Sequence, residues 1–194
     1  MNTIGSGDCM NGEYPASDWV RRHIAGIPER GCVLDVACGK GRHLRLAHAL
    51  GHPIVGIDVK MAGVGDLLEQ PGIELVEADL ETGEPFPLSG RQFSGVIVTN
   101  YLWRPILPAL VDCVADDGLL IYETFAQGNQ KYGRPTNPDY LLRPGELLSV
   151  VQPRLMPIAF EHIALRDPSR AVQRIVAVGP RHGWLADPPS LART

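Results

Sequence analysis

Five short apolar runs, separated by polar and glycine-rich segments, recur along the first two thirds of the chain. Each is four to seven residues long, rich in Val, Ile and Leu, and carries few polar positions. Continuous apolar runs of this length are typical of strands buried on both faces, as in a parallel sheet. The predicted strands are residues 32–36, 54–57, 73–76, 93–99 and 119–122.

Segments with helical spacing or helix signals lie before, between and after these runs. Ser17 is a suitable N-cap for a helix over 18–24, which places Trp19, Val20, His23 and Ile24 on one face. Gly51 ends a second helical pattern over 42–50. Further helices are predicted at 65–69, 105–115 and, after Pro144, at 146–151.

The last part of the chain has a different hydrophobic pattern from the first two thirds. Two longer runs, 156–165 and 171–178, flank the polar segment 166–170 and predict an antiparallel hairpin. The pattern as a whole predicts an α/β fold, a Rossmann-like doubly wound seven-stranded sheet that is mostly parallel with a C-terminal antiparallel hairpin. We expect one domain over 1–194, with a flexible or lid-like start at 1–16 and a peripheral tail at 181–194.

Composition narrows the choice of partners. The chain has 194 residues, a net charge of −4 and a pI near 5.8, so it has no overall basic field for nucleic acid or anionic lipid. No apolar run reaches the ~20 residues of a membrane span, and the start lacks a signal-peptide core. The four cysteines, at 9, 32, 38 and 113, form no C-x-x-C pair, which favours free thiols in a cytoplasmic protein and predicts no metal site.

The most informative stretch joins the first strand to the second helix. Residues 37–41 are small and glycine-containing, so the backbone can turn sharply and let a ligand approach the helix N-terminus. A dinucleotide fingerprint requires a third glycine, where this chain has Leu44. Asp35, at the strand end, would repel a pyrophosphate and favour a cationic ligand with an ammonium group.

Asp35-x-Ala37-Cys38-Gly39-x-Gly41 resembles motif I of class I S-adenosylmethionine (SAM) methyltransferases, usually D/E-x-G-x-G-x-G. Ala37 replaces the first glycine, which predicts that this position needs no positive φ. The resemblance extends over about residues 17 to 180 and includes the terminal hairpin. The segments 100–105 and 122–125 resemble small bacterial methyltransferases of the tellurite-resistance type.

The resemblance implies SAM as cofactor, S-adenosylhomocysteine (SAH) as product and a cofactor site at the carboxyl edge of the sheet. Asp58 follows a strand about 20 residues after the glycine turn, where an acid can accept both ribose hydroxyls; the alternative is an exposed turn aspartate. Asp79 looks like the adenine-binding acid of the class; the alternative is a helix cap. The predicted cofactor residues are Asp35, Ala37, Cys38, Gly39, Gly41, Arg42, Asp58, Val59, Asp79, Leu80, Asn100 and Tyr101.

The sequence says less about where the methyl acceptor binds. The exit of the fourth strand, 100–103, lacks the two prolines with which nucleobase amino-methyltransferases clamp a base. The long irregular segment 123–143 predicts a substrate loop, or alternatively a disordered one. Arg104, Arg134 and Arg143 are predicted to form a modest basic pocket. The candidate substrate residues are Trp19, Arg104, Glu123, Tyr132 and Arg134, although Trp19 can equally pack on the sheet.

No catalytic base is assigned among the candidates Glu123, His43, Tyr101 and His162, and His43 is expected on the surface. The predicted function is transfer of a methyl group from SAM to a small-molecule nucleophile, with no nucleic-acid or membrane partner. The sequence leaves open the acceptor and the oligomeric state. Two alternatives remain at this point: a SAM-binding regulatory module without turnover, and an NAD-linked oxidoreductase.

Overall fold

A computed structural model describes residues 15–190, which form one seven-stranded sheet covered by helices. The strands are β1 (Val33–Val36), β2 (Ile54–Asp58), β3 (Ile73–Glu77), β4 (Phe93–Thr99), β5 (Val114–Phe125), β6 (Met156–Leu165) and β7 (Arg170–Val178). The α-helices are α1 (Asp18–His23), α2 (Arg42–Ala49), α3 (Leu107–Asp112) and α4 (Glu146–Val151). Short 3₁₀ turns lie at Ile24–Gly26, Ala62–Leu67, Arg104–Ile106, Asn129–Lys131, Pro138–Tyr140 and Gly183–Leu185.

The strand order is β3-β2-β1-β4-β5-β7-β6, which confirms the predicted fold class. Strands β1 to β5 run parallel, and β7 pairs antiparallel with both β5 and β6. The order reverses at β1, which lies between β2 and β4, so a crevice opens beyond the carboxyl ends of these strands. The apolar β4 occupies the middle of the sheet, as its composition predicted.

Both faces of the sheet are buried, and successive residues of β1 point to opposite faces. One face packs Leu34 and Val36 with α3 and α4, through Leu110 and Leu147. The other face packs Val33 with α1 and α2, through side chains that include Leu44. This two-sided burial explains why the first strands are almost wholly apolar.

Helix α1 begins as its sequence predicts, because the Ser17 hydroxyl accepts a hydrogen bond from the Trp19 N–H at 3.2 Å. All four residues of its expected apolar face are buried in the described structure. Residues 1–14, most of the predicted flexible start, and Cys9 lie outside the described residues.

The boundaries around β5 differ from the prediction. The predicted helix 105–115 ends at Asp112, and the Asp117-Gly118 turn lies inside β5, which continues from Val114 to Phe125. The register explains this, since Val114 pairs with Phe93 but Leu119 pairs with Gly95, so an extra loop of backbone bulges from the strand. The turn residues therefore mark an irregularity within a strand and not its beginning.

The segment after β7 returns to the body of the molecule. The His182 imidazole Nε2 lies 2.9 Å from the Gly26 carbonyl oxygen, and the Trp184 ring occupies the space where a Cβ on Gly26 would lie. None of the helices in residues 15–190 is both long and apolar enough to cross a membrane.

Candidate functional site

The turn between β1 and α2 is built from left-handed backbone positions. Ala37, Gly39 and Gly41 have φ values of 53°, 56° and 74°. The expectation that Ala37 needs no positive φ is therefore wrong. The Cys38 N–H donates to the Ile57 carbonyl at 3.2 Å, which ties the turn to the end of β2. A left-handed alanine costs about 1–2 kcal/mol, so surrounding contacts must hold this conformation.

A cavity of about 390 Å³ opens beyond the ends of β2 and β3, beside this turn. Its charged lining residues are all acidic: Asp58, Asp79 and Glu81. One oxygen of Asp58 accepts the Gly39 N–H at 2.8 Å, and the other accepts the Lys60 N–H at 3.2 Å. Each carboxylate oxygen keeps a second lone pair, so Asp58 both shapes the turn and can accept bonds from a ligand.

Two further groups complete the wall of this acidic cavity. Asp79 accepts the Glu81 N–H at 2.9 Å through one oxygen, which closes a local turn. The Tyr101 hydroxyl is buried and has no hydrogen-bond partner among the described residues. Burial, together with the neighbouring acids Glu81, Asp79 and Asp58, raises the pKa of Tyr101, so the hydroxyl keeps its proton and can donate it to a ligand.

A second cavity, of about 810 Å³, lies on the other side of Ala37 and has the opposite charge. Its described lining contains five Lys or Arg residues and no Asp or Glu. The basic lining residues are Arg21, Lys40, Arg42, Arg45 and Arg170. Two of them are partly engaged, because Arg45 pairs with Asp66 at 2.7 Å and Arg42 donates to the Thr99 hydroxyl at 3.3 Å. We call these two spaces the acidic cavity and the basic cavity.

Beneath the glycine turn lies a buried pair, Asp35 and His43, with Asp35 Oδ1 3.8 Å from His43 Nδ1. The expectation of a surface His43 is wrong, because α2 turns this face towards the sheet. The Ser17 N–H donates to His43 Nε2 at 3.2 Å, so that nitrogen is an acceptor. Burial, aided by the Arg42 charge, lowers the pKa of His43 to about 3. Burial raises the pKa of Asp35 to about 8, against the opposing effect of Arg42.

Two other candidate bases, Glu123 and His162, are poorly placed to act on a ligand, because neither lines either cavity. Glu123 is buried and accepts from the Ser17 hydroxyl at 3.0 Å and from Arg174 at 3.2 Å. His162 is exposed on β6, at the far edge of the sheet. The Cys38 thiol lines the basic cavity, but burial raises its pKa and keeps it protonated.

The two cavities bring together most of the predicted cofactor residues. Asp35 and Gly41 lie behind the turn and do not line either cavity. Ala37 lines both. The predicted residues in the basic cavity are Ala37, Cys38, Gly39, Arg42 and Asn100, and those in the acidic cavity are Ala37, Asp58, Val59, Asp79, Leu80 and Tyr101.

The predicted substrate residues are more scattered, and none of the five lines either cavity. Trp19 is buried in the core, where its indole N–H donates to the Ile175 carbonyl at 3.3 Å. Arg104 forms a two-pronged ion pair with Glu146, at 2.7 and 3.0 Å. Tyr132 and Arg134 are exposed in the 123–143 segment.

The proposed basic pocket of Arg104, Arg134 and Arg143 is also not assembled, since none of the three lines the basic cavity. The cavity instead takes its charges from α1, the glycine turn, α2 and β7. Four of its basic residues are not among the predicted site residues: Arg21, Lys40, Arg45 and Arg170. One feature could have indicated that Arg170 belongs to the site. This residue begins a strand whose antiparallel direction places it beside the carboxyl end of β5.

Within residues 15–190, no group of three or more His, Cys, Asp or Glu side chains has a metal-binding arrangement. Cys32, Cys38 and Cys113 are free thiols.

Comparison with known proteins identifies the fold. No protein-family model matches the chain, and neither does any curated protein sequence. Among solved structures, TehB from Haemophilus influenzae superposes with a TM-score of 0.65 and 15% identity, over 84% of this chain and 61% of that one. This chain thus spans less than two thirds of that neighbour's length.

Two further neighbours are covered more fully. A SAM-dependent methyltransferase from Methanosarcina mazei has a TM-score of 0.63 and 14% identity, over 86% of this chain and 99% of that one. The 1,6-didemethyltoxoflavin-N1-methyltransferase of Burkholderia thailandensis was solved with bound 1,6-didemethyltoxoflavin and SAH. It has a TM-score of 0.62 and 14% identity, over 82% of this chain and 75% of that one. At these identities the comparisons establish a shared fold, and they confirm the predicted resemblance to SAM-dependent methyltransferases at that level.

Proposed function

We propose that this protein is a SAM-dependent methyltransferase that acts on a small molecule. The observation that carries the proposal is the pair of cavities of opposite charge that meet at Ala37, beyond the carboxyl ends of β1 and β4. An elongated ligand with a polyhydroxyl and amine-bearing end and a zwitterionic end matches such a pair. The methyltransferases among the structural neighbours support this choice.

The residues present fit the cofactor. Asp58 has free lone pairs for ribose hydroxyls, and Asp79 has a second carboxylate oxygen for the adenine amine. The Asp35 Oδ2 atom is buried behind the turn without a hydrogen-bond partner in the described structure, and a ligand ammonium group bound near the turn would favour the ionised form of this carboxyl group. A Cβ built on Gly39 meets no atom within 4 Å, so open space lies above the turn where a ligand can approach.

When bound, SAM supplies an electrophilic methyl group on a positive sulfonium. The chain's own contribution is to bind, orient and exclude water. The acidic cavity would hold adenosine through Asp58, Asp79 and the apolar Leu80, while Arg42 and Lys40 flank the amino-acid end. Asp35 lies buried behind the turn, and the half-buried Thr99 lines the basic cavity, where its hydroxyl accepts from Arg42 at 3.3 Å.

The methyl acceptor must be nucleophilic without activation by a catalytic base of the protein. Among the described residues at the basic cavity, His43 is neutral with both nitrogens facing protein groups, and Glu123 is not among the lining residues. A thiolate, a neutral amine or another pre-formed nucleophile needs no base, whereas an unactivated alcohol does. We therefore place the acceptor among groups that are reactive near pH 7 without proton abstraction.

A label-transfer experiment tests the proposal. The protein is incubated with methyl-labelled SAM and a fractionated bacterial extract, with Asp58→Ala as the control for specific use of the cofactor. We expect label in the low-molecular-weight fraction and little in the control. SAH binding without transfer to any fraction would favour the regulatory module, and label in RNA, DNA or protein would contradict a small-molecule acceptor.

A further inference from the structure

The basic cavity is a concave surface lined with positive charge, within a chain whose net charge is −4. Part of its positive charge surrounds the glycine turn, where Lys40 and Arg42 flank the expected amino-acid end of the cofactor. The backbone of Arg170 belongs to a different part of the cavity wall, although its guanidinium interacts electrostatically with that of Arg42. It is the first residue of β7, and β7 is separated from β1 by β4 and β5. At about 4.8 Å per strand spacing, Arg170 originates roughly 14 Å from the turn.

Arg170 has unused hydrogen-bonding capacity. Its Nε–H is buried and has no partner among the described residues. Its only ion pair there is loose, since its NH2 group lies 3.7 Å from Glu123 Oε1. Glu123 is already bound more closely by Arg174 and Ser17. The guanidinium therefore lies on the cavity wall with its charge only loosely paired, and a carboxylate or phosphate can bind arginine through two donors.

Part of the remaining wall is apolar, although His43, Thr99 and Asn100 also line the cavity. Pro15, Ala16, Leu46 and Pro168 line the same cavity, and Pro168 belongs to the hairpin turn that precedes Arg170. A volume of about 810 Å³ exceeds what the amino-acid end of a cofactor fills, and it lies within the usual range for organic ligands. A fully hydrated inorganic ion would leave this apolar surface uncovered.

We infer that the methyl acceptor is an organic anion, with an apolar body against the proline-lined wall and a carboxylate or phosphate held by Arg170. Arg170 would then be a substrate-binding residue that determines specificity. This inference rests on the proposed function, because the acceptor is expected to bind beside the cofactor.

Matched ligand pairs provide the test. SAH-saturated protein is titrated by ligand-observed NMR with benzoate and benzamide, with phenylacetate and phenylacetamide, and with phenyl phosphate and phenol. We expect at least one anion to bind tenfold or more tightly than its neutral partner. The carboxylate and phosphate pairs show which anion is preferred.

Three variants connect that preference to Arg170. Arg170→Gln should weaken binding of the preferred anion at least tenfold while leaving the neutral partner and SAH within about threefold, and Arg170→Lys should fall between. Arg166→Gln is the matched control, because Arg166 is exposed on the same hairpin and does not line the cavity. A loss of stability alone would weaken the acid and the amide together.

Two results would overturn the inference: no anion preferred over its neutral partner, or Arg170→Gln no different from Arg166→Gln. Displacement of the bound anion by tRNA, with salt-sensitive tRNA binding, would reassign the cavity to nucleic acid. Failure of SAH to bind in the first place would instead contradict the proposed function, so the two failures are distinguishable.

Discussion

At the scale of single residues, Asp35 is the most unusual group in the site. It is 1% exposed, its Oδ2 atom has no partner in the described structure, and the groups that interact with it are Arg42, His43, Cys38 and Asp58. With its pKa raised to about 8 and that of His43 lowered to about 3, both side chains are mainly neutral at pH 7. Their 3.8 Å contact is therefore not an ion pair near neutrality.

The raised pKa of Asp35 predicts a loss of stability as pH rises from about 3.8 to about 8. The folded state holds this proton up to about pH 8, whereas the unfolded chain releases it near 3.8, so stability falls as pH rises between them. His43 acts in the opposite direction only up to its ordinary value of 6.5. From pH 6.5 to 8 we expect a loss of up to about 2 kcal/mol, measured by urea unfolding without ligand. Asp35→Asn should flatten this slope; an unchanged slope would show that Asp35 ionises normally.

Asp58 carries the prediction for cofactor affinity. Asp58→Ala should weaken SAH binding by about 1–3 kcal/mol, through lost bonds to ligand hydroxyls and a loosened Gly39 N–H. Glu74→Ala is the control, since it removes an exposed carboxylate paired with Arg91 away from both cavities. Calorimetry measures both variants. Equal SAH affinity in a folded Asp58→Ala variant would place the adenosine end elsewhere.

At the scale of elements, Arg104 fixes the long segment between β5 and α4. Besides its ion pair with Glu146, it donates to the carbonyls of Asp139 and Leu141 at 2.6 and 2.9 Å. The buried Asn129 binds the Ala171 N–H at 3.1 Å, which holds the other half of the segment to β7. Hydrogen bonds to residues distant in sequence thus hold the segment in place.

Removal of the Arg104 clamp should therefore cost more than removal of an exposed ion pair. Arg104→Met is expected to lower the free energy of unfolding by about 1–3 kcal/mol and to increase hydrogen exchange over 137–142. Arg91→Met is matched, because Arg91 makes an equally two-pronged but exposed pair with Glu74 and should cost under about 1 kcal/mol. Equal costs for the two variants would contradict a clamping role.

The elements also show what a single sequence can predict. Strand β4 and the hairpin could be placed closely, because long apolar runs and a turn between them depend on local pattern. The start of β5 could not, since its bulge arises from pairing with β4. The predictions for Ala37 and His43 were wrong for a related reason. Backbone strain and the direction of a helix face are fixed by packing against residues that are distant in sequence.

At the scale of the whole molecule, the positions of the charged residues are more informative than the net charge. The net charge of −4 predicted the absence of an overall basic field, yet five basic residues line one cavity and three acids line the next. The helices, turns and strand ends that carry these charges are distant in sequence, and the strand order β3-β2-β1-β4-β5-β7 brings them to one edge of the sheet. This arrangement explains why motifs could predict the lining residues around the glycine turn and after β2 and β3, whereas they could not predict Arg21, Arg45 and Arg170.

Calorimetric titration with SAH and, separately, with NAD and NADP tests the central claim most directly. The polarised cavities, the buried Asp35 behind the turn and Leu44 at the third glycine position predict micromolar SAH binding and negligible dinucleotide binding. Binding of NAD or NADP more tightly than SAH by the folded protein would contradict the account.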